Sequence, residues 1–188
     1  DASENDVVSL TFTASEALLQ DPTCTIYDGN GDAMENSVSV DNTNAPAYTC
    51  SVTVANDDSD GTITFSIAFT DAAGNAGTPV TTTDATSVDI DNTHPTLTPV
   101  TISTTGDGDA SNADVITLAF TASEALLQDP TCTIYDGNGD AMDNSVSVDN
   151  TNAPAYECTV TVGDNDVDGD LTFSIAFTDE AGNVGDAV

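Results

Sequence analysis

YTCSVTVANDDSDGTITFSIAFTD, residues 48–71, sets Tyr48, Cys50, Val52 and Val54 against Thr49, Ser51 and Thr53, then Ile63, Phe65, Ile67 and Phe69 against Thr64, Ser66 and Ala68. Apolar residues at every second position turn one face of an extended strand to a core and leave the other, rich in Thr and Ser, to water. Asp60-Gly61 marks the turn between the two strands. The same alternation holds at Val8, Leu10 and Phe12, and shorter strands are expected at Cys24–Tyr27, Ser37–Val40, Val80–Thr83 with Thr86–Ile90, and Leu97–Ser103. Asp28-Gly29-Asn30-Gly31 and Asp71–Gly77 supply further turns, and Ser15–Gln20 suits one helical turn capped by Ser15.

Outside this stretch the chain repeats itself. Thr13–Met34 recurs letter for letter as Thr121–Met142, an offset of 108, and Asn36–Tyr48 recurs as Asn144–Tyr156 at the same offset. A period of this length is too long for a solenoid unit and suits one small domain per repeat. Seven short strands in each copy point to an all-β fold built as a β-sandwich. Asp1 aligns with Asp109 and Val188 with Val80, so the first copy has no counterpart of Thr93–Gly108 and the second none of Thr81–Asn92. The expected domains are residues 1–91, without their first strand, and 92–188, without their last.

The 188 residues include no Lys or Arg, 33 acidic residues and one His, a formal charge of −33. Phosphate clamps, arginine fingers and Lys nucleophiles are excluded, and nucleic acid and anionic membrane surfaces would be repelled. Cations are the natural partners, and divalent ions or salt should relieve the self-repulsion of the compact state. No apolar run approaches the roughly 18 to 20 residues that span a bilayer, so direct membrane insertion is not expected.

The four cysteines, Cys24, Cys50, Cys132 and Cys158, allow three pairings. One bridge per repeat, Cys24–Cys50 and Cys132–Cys158, is the simplest, and free buried thiols are the alternative. Cys24 shares the phase of Ile26, and Cys50 that of Val52, so both should face the core. Bridges of this kind belong to an oxidising, extracellular setting.

TFTASEAL, FSIAFTDAAGNAGT and VDIDNTHPTLTPVTI together resemble the bacterial immunoglobulin-like tandem repeats of large extracellular adhesin and surface proteins. The matching motifs are the Asp71–Asn75 and Asp179–Asn183 loops and the Asp91–Pro95 linker. The resemblance implies tandem Ig-like sandwiches with Greek-key connections; it implies no ligand. The cysteine pairs and the absence of Lys and Arg depart from the usual pattern, and without Lys no Lys–Asn isopeptide cross-link can form.

Three groups of carboxylates are candidates for chemistry. Asp164–Gly169 begins like a calcium loop, but its twelfth position is Ile175 where a bidentate Glu is required. The linker at Asp89–Pro95 should pass the loops carrying Asp28, Asp32, Asp58 and Asp60 and meet Glu124 and Asp179. A hard, oxygen-liganded Ca2+ would convert that repulsion into a rigid joint. Asp89, Asp91, Asn92, Glu124 and Asp179 are therefore the expected metal ligands, against the plainer reading of solvated loops with Asx-turns. The linker, like DNTNAP at Asp149, resembles the calcium linker of cadherins. A glycosidase pair of carboxylates is disfavoured, because no apolar pocket would raise one pKa and few aromatic residues could hold a sugar.

The sequence thus reads as a non-enzymatic, extracellular structural module. It is a stalk or filament segment stiffened by disulfides and Ca2+, with neighbouring identical repeats or subunits as partners. The alternatives are a filament subunit that polymerises by donor-strand pairing and an adhesive module for glycan, mineral or protein.

Overall fold

Alternation along the chain becomes the pleat of two separate β-sandwiches. A computed structural model describes residues 1–106, 108–186 and 188, and these fall into two units, Asp1–Thr93 and His94–Val188. The first unit contains β1 (Val7–Thr13), β2 (Thr23–Tyr27), β3 (Ser39–Asn44), β4 (Ala47–Thr53), β5 (Gly61–Thr62), β6 (Thr64–Ala68) and β7 (Asp89–Ile90). The second contains β8 (Leu97–Thr104), β9 (Val115–Ala122), β10 (Thr131–Tyr135), β11 (Ser147–Asn152), β12 (Ala155–Thr161) and β13 (Thr172–Ala176).

In the second unit one sheet has the order β11-β12-β9-β8 and the other pairs β10 with β13. Lettered A to F in chain order, these strands form a D-E-B-A sheet against a C-F sheet, the arrangement of a constant-type immunoglobulin sandwich. The first unit repeats the scheme from B onward: β1-β4-β3 is B-E-D, while β2-β6 and β5-β7 make C-F-G, with F interrupted at Ile63. Both units are therefore immunoglobulin-like. Among the described residues, the first has no strand in the A position and the second none in the G position.

The two copies share register. Leu10 lies opposite Cys50 and Leu118 opposite Cys158; Phe12 stacks on Tyr48 at 5.7 Å and Phe120 on Tyr156 at 5.8 Å. Disulfides join Cys24 to Cys50 and Cys132 to Cys158, each with Cα atoms 6.4 Å apart. Each ties strand C to strand E and so crosses between the sheets, whereas antibody domains bridge B to F. The expected inward phase of Cys50 and Cys158 holds, since both are wholly buried.

Three local expectations change. Ser15–Gln20 forms bends and no helical turn: Leu18 bridges Asp71, and Leu19 N–H donates to Thr70 O, so tertiary pairing takes the donors a helix would use. The D strand lies at Ser39–Asn44 rather than Ser37–Val40. It is a polar edge strand held by β4 and by the hairpin turn at Asn44–Ala47, so its apolar pattern is weak. The two stretches Val80–Thr83 and Thr86–Ile90 shrink to a bridge from Val80 to Ile67 and the two residues of β7, because the exposed Thr side chains between them bury little.

One difference between the near-identical copies is that, among the described residues, β9 has an A-strand neighbour and β1 has none. β8 covers the edge of β9 through pairs such as Ile102–Leu118 and Val100–Phe120. Leu118 is 0% exposed, Phe120 3% and Ile116 1%. Their counterparts Leu10, Phe12 and Val8 remain half-buried, and Val8 and Leu10 line a cavity of about 320 Å³ with Ile26, Ile63 and Phe65. The substitution Leu118→Ala should lower stability by about 2–5 kcal/mol and Leu10→Ala by distinctly less, because the second side chain is already partly in water. Denaturant unfolding of the two variants measures the gap. Equal losses would contradict the burial difference.

Candidate functional site

With no Lys or Arg in the chain, a loop carboxylate has only N–H and O–H groups to satisfy it. The loops are built accordingly. Asp28 is buried; its Oδ1 accepts from Asn30 N at 3.0 Å and Asp32 N at 2.9 Å, and its Oδ2 accepts from Ser59 N at 3.0 Å. Asp136 repeats this with Asn138 N, Asp140 N and Val167 N at 2.9, 3.0 and 2.9 Å. The backbone bond from Ser59, outweighing burial, holds the Asp28 carboxyl below the usual 3.8, and that from Val167 does the same for Asp136.

Gly29 allows this loop to meet its neighbour. A Cβ there would lie 2.0 Å from the carbonyl oxygen of Asp60, and at Gly137 it would lie 2.4 Å from that of Asp168. The neighbouring loop has its own fastener. Asp58 accepts from Glu35 N at 2.9 Å and Ala55 N at 2.7 Å, and Asp166 accepts from Asp143 N and Gly163 N at the same two distances. Asp164–Gly169 is thus a pinned turn, with Asp164 accepting from the Asn112 side chain. At the other end of each sandwich, Asp71 accepts from Ala73 N and Asn75 N, and Asp179 from Gly182 N and Asn183 N. Asp179 is 1% exposed.

The expected metal ligands divide between the units. Asp89 accepts from Thr62 Oγ1 at 2.5 Å, and Asp91 accepts from Thr93 N at 3.1 Å. Asn92 N donates to Asp60 Oδ1 at 2.7 Å, while its side-chain Nδ2 donates to Ala55 O and Asp58 O at 3.0 and 2.9 Å. The Asn92 Oδ1 is buried without a hydrogen-bond partner. In the second unit Glu124 and Asp179 offer carboxylate oxygens within 4.8 Å of each other, and Glu124 also accepts from Ser123 Oγ at 3.4 Å. His94 Nδ1 lies 2.7 Å from Val184 O. DNTNAP at Asp149 is a hairpin turn between β11 and β12, with Thr151 N donating to Asp149 Oδ1 at 2.9 Å.

The buried aspartates Asp28 and Asp136 are loop fasteners that the sequence reading does not single out. The signal was there in the Asp-x-x-x-Asp and Asp-x-x-x-Asn spacing of DGNGD and DAAGN. An Asp that begins such a turn accepts from the backbone two and four residues on. Chemically these groups are spoken for: Asp28, Asp41, Asp71, Asp114, Asp136 and Asp149 are all shifted downward by hydrogen bonds. A general acid at neutral pH needs the opposite shift. Among the described residues no helix is long and apolar enough to cross a membrane.

No family model matches the chain, and no curated protein matches it. Among solved structures the chain is similar to one described as "Anomalous substructure of Titin-A168169", at 14% identity over 99% of this chain and 89% of that one, with a TM-score of 0.33. It is also similar to one described as "Marsupial T cell receptor", at 12% identity over 100% of this chain and 90% of that one, with a TM-score of 0.32. The immunoglobulin-like assignment rests on strand order and pairing within each unit.

Replacing Asp28 by Asn keeps one acceptor and turns an NH2 group toward Ser59 N–H. It should cost about 1–3 kcal/mol at pH 7. The lowered pKa fixes the sign of the pH effect: the stabilisation from Asp28 is complete above the unfolded value and is lost as pH falls through the lower folded one. Chemical denaturation between pH 7 and pH 2 should therefore show the Asp28→Asn deficit shrinking only below about 3.8. A deficit independent of pH across that range would contradict the assignment.

Proposed function

We propose that this chain is a load-bearing segment of an extracellular stalk or filament, of the kind found in bacterial surface and adhesin proteins, made of immunoglobulin-like units and stiffened by disulfides and Ca2+. The observation that carries the reading is the repeated bridge between strands C and E. It fastens the two sheets of each unit across the core, where an applied pull would otherwise part them. The near-identity of the copies supports a mechanical role over recognition, since recognition sites are usually anchored by distinctive aromatic or Arg side chains. The two intradomain disulfides support an oxidising setting, and the reading takes that setting to be outside the cell.

Ca2+ is proposed on the donor chemistry: an exclusively acidic chain, the buried and unpartnered Asn92 Oδ1, and the close carboxylates Glu124 and Asp179. Hard cations take such oxygen ligands, carboxylate and amide carbonyl alike. Asp89 and Asp91 complete the candidate set. Calorimetric titration of the chain should show saturable Ca2+ uptake that is weakened by the double substitution Glu124→Gln with Asp179→Asn. Uptake that never saturates would remove the ion from the proposal.

Stretching single molecules tests the mechanical reading. Each bridge locks a 26-residue span whose ends lie 6.4 Å apart, so reduction should lengthen the unfolded contour by about 8 nm per unit at roughly 3.4 Å per residue. It should also lower stability by about 3–4 kcal/mol per bridge in the chain-entropy model. Extension unchanged by reductant would count against a role in bearing load.

A further inference from the structure

Asn-Gly occurs twice in the chain, as Asn30-Gly31 and Asn138-Gly139, each inside the same stretch DGNGD. A glycine nitrogen has no side chain beside it to shield it, so it is the backbone group best able to attack the thermolabile amide of a preceding asparagine. The two turns share one backbone geometry. Asp28 O accepts from Gly31 N at 3.0 Å and Asp136 O from Gly139 N at 2.9 Å, and the two glycines have φ of 86° and 83°. All four residues are exposed, and a Cβ built on either glycine would meet nothing within 4 Å. Water reaches both turns.

The turns differ at one side-chain contact. Asn30 Nδ2 donates to Ser59 Oγ at 2.9 Å, which tethers the amide. At the Ser59 position the second unit has Val167, which offers no side-chain acceptor. Asn138 N still donates to Asp136 Oδ1, but among the described residues no hydrogen bond holds the Asn138 side chain.

We infer that Asn138-Gly139 is a self-modification site at which the folded chain converts Asn138 to isoaspartate, and that Ser59 slows the same reaction at Asn30. Gly139 N leaves its bond to Asp136 O, loses its proton and attacks Asn138 Cγ. The Cγ–Nδ2 bond breaks, ammonia leaves with a proton, and a succinimide ring closes. Water then opens the ring. Cleavage between Gly139 N and Cγ gives aspartate, and cleavage between Gly139 N and the Asn138 main-chain carbonyl carbon gives isoaspartate. Water is the only reactant that enters.

The product undoes a fastener of the loop. Isoaspartate adds one methylene to the backbone between residues 138 and 139, and Asp136 Oδ1 accepts from N–H groups on both sides of that point, Asn138 N at 2.9 Å and Asp140 N at 3.0 Å. The buried carboxylate cannot keep both. The loop that meets the Asp168 carbonyl through Gly137 is thereby loosened in one unit before the other.

None of this rests on the stalk reading. The identity of Thr13–Met34 with Thr121–Met142 supplies the control, because the two asparagines must react alike in denaturant. The full chain is aged at mildly alkaline pH, folded or denatured, and cleaved with cyanogen bromide after its two methionines, Met34 and Met142. Asn30 then lies in fragment 1–34 and Asn138 in fragment 35–142, where electron-transfer mass spectrometry locates isoaspartate. In the folded chain Asn138 should convert about two- to fivefold faster than Asn30, the worth of one exposed hydrogen bond. Ser59→Val should bring Asn30 up to the Asn138 rate, and Val167→Ser should slow Asn138. Hydrogen exchange at Asp140 N should quicken with age in the native chain and stay constant in Asn138→Gln, whose longer side chain closes the ring far more slowly. Folded chain that forms no isoaspartate at Asn138 while denatured chain does would overturn the site. Equal folded rates that ignore both exchanges would overturn the role of Ser59, and unchanged Asp140 exchange in converted chain would overturn the unfastening.

Discussion

The pairing of strands B and E, β1 with β4 and β9 with β12, is the contact on which each unit depends. It sets Leu10 against Cys50 and Leu118 against Cys158 in identical register, and it stacks the Phe–Tyr pair of each copy. From the E strand the disulfide crosses to strand C, so the B–E pair is fastened to the opposite sheet through its most buried residue. The sheets cannot separate while the bridge holds. The hairpin to strand D and the edge position for A are built outward from this pair. How well the B–E pair is covered then decides how dry its inner face becomes, and the contrast between Leu10 and Leu118 shows how much one edge strand matters.

A second constraint is the absence of basic side chains. Elsewhere a buried carboxylate can be neutralised by Arg or Lys; here it must be held by backbone N–H groups. Asp28 and Asp136 each gather three of them, and Asp58 and Asp166 two. These bonds draw the loops at one end of each sandwich into contact through Gly29 and Gly137.

Much of this was legible in the residues. Period-2 alternation found the B, C, E and F strands because their two faces differ sharply, and the phase of the cysteines placed them inward. The D strand was read two residues early because Asp41, Asn42 and Thr43 have no apolar face to betray it. β7 was read too long because Thr81–Thr83 carry β-propensity without a core to cover. The Ser15–Gln20 segment was misread because its local helical signal lost to pairing with Thr70 and Asp71, which lie more than fifty residues away. Long-range pairing of that kind leaves no trace in a short window. The repeat offset, by contrast, is legible in the residues alone, since it depends only on aligning the chain with itself.

The central claim is that an A-strand neighbour, which among the described residues β9 has and β1 does not, is what dries the inner face of a B strand. It is tested most directly by giving the first unit that neighbour. A chain with residues 93–108 placed ahead of Asp1, in the spacing they hold ahead of Asp109, should bury Leu10 and Phe12 and raise the melting temperature of the first unit. An unchanged transition, with β1 as exposed as before, would contradict the account.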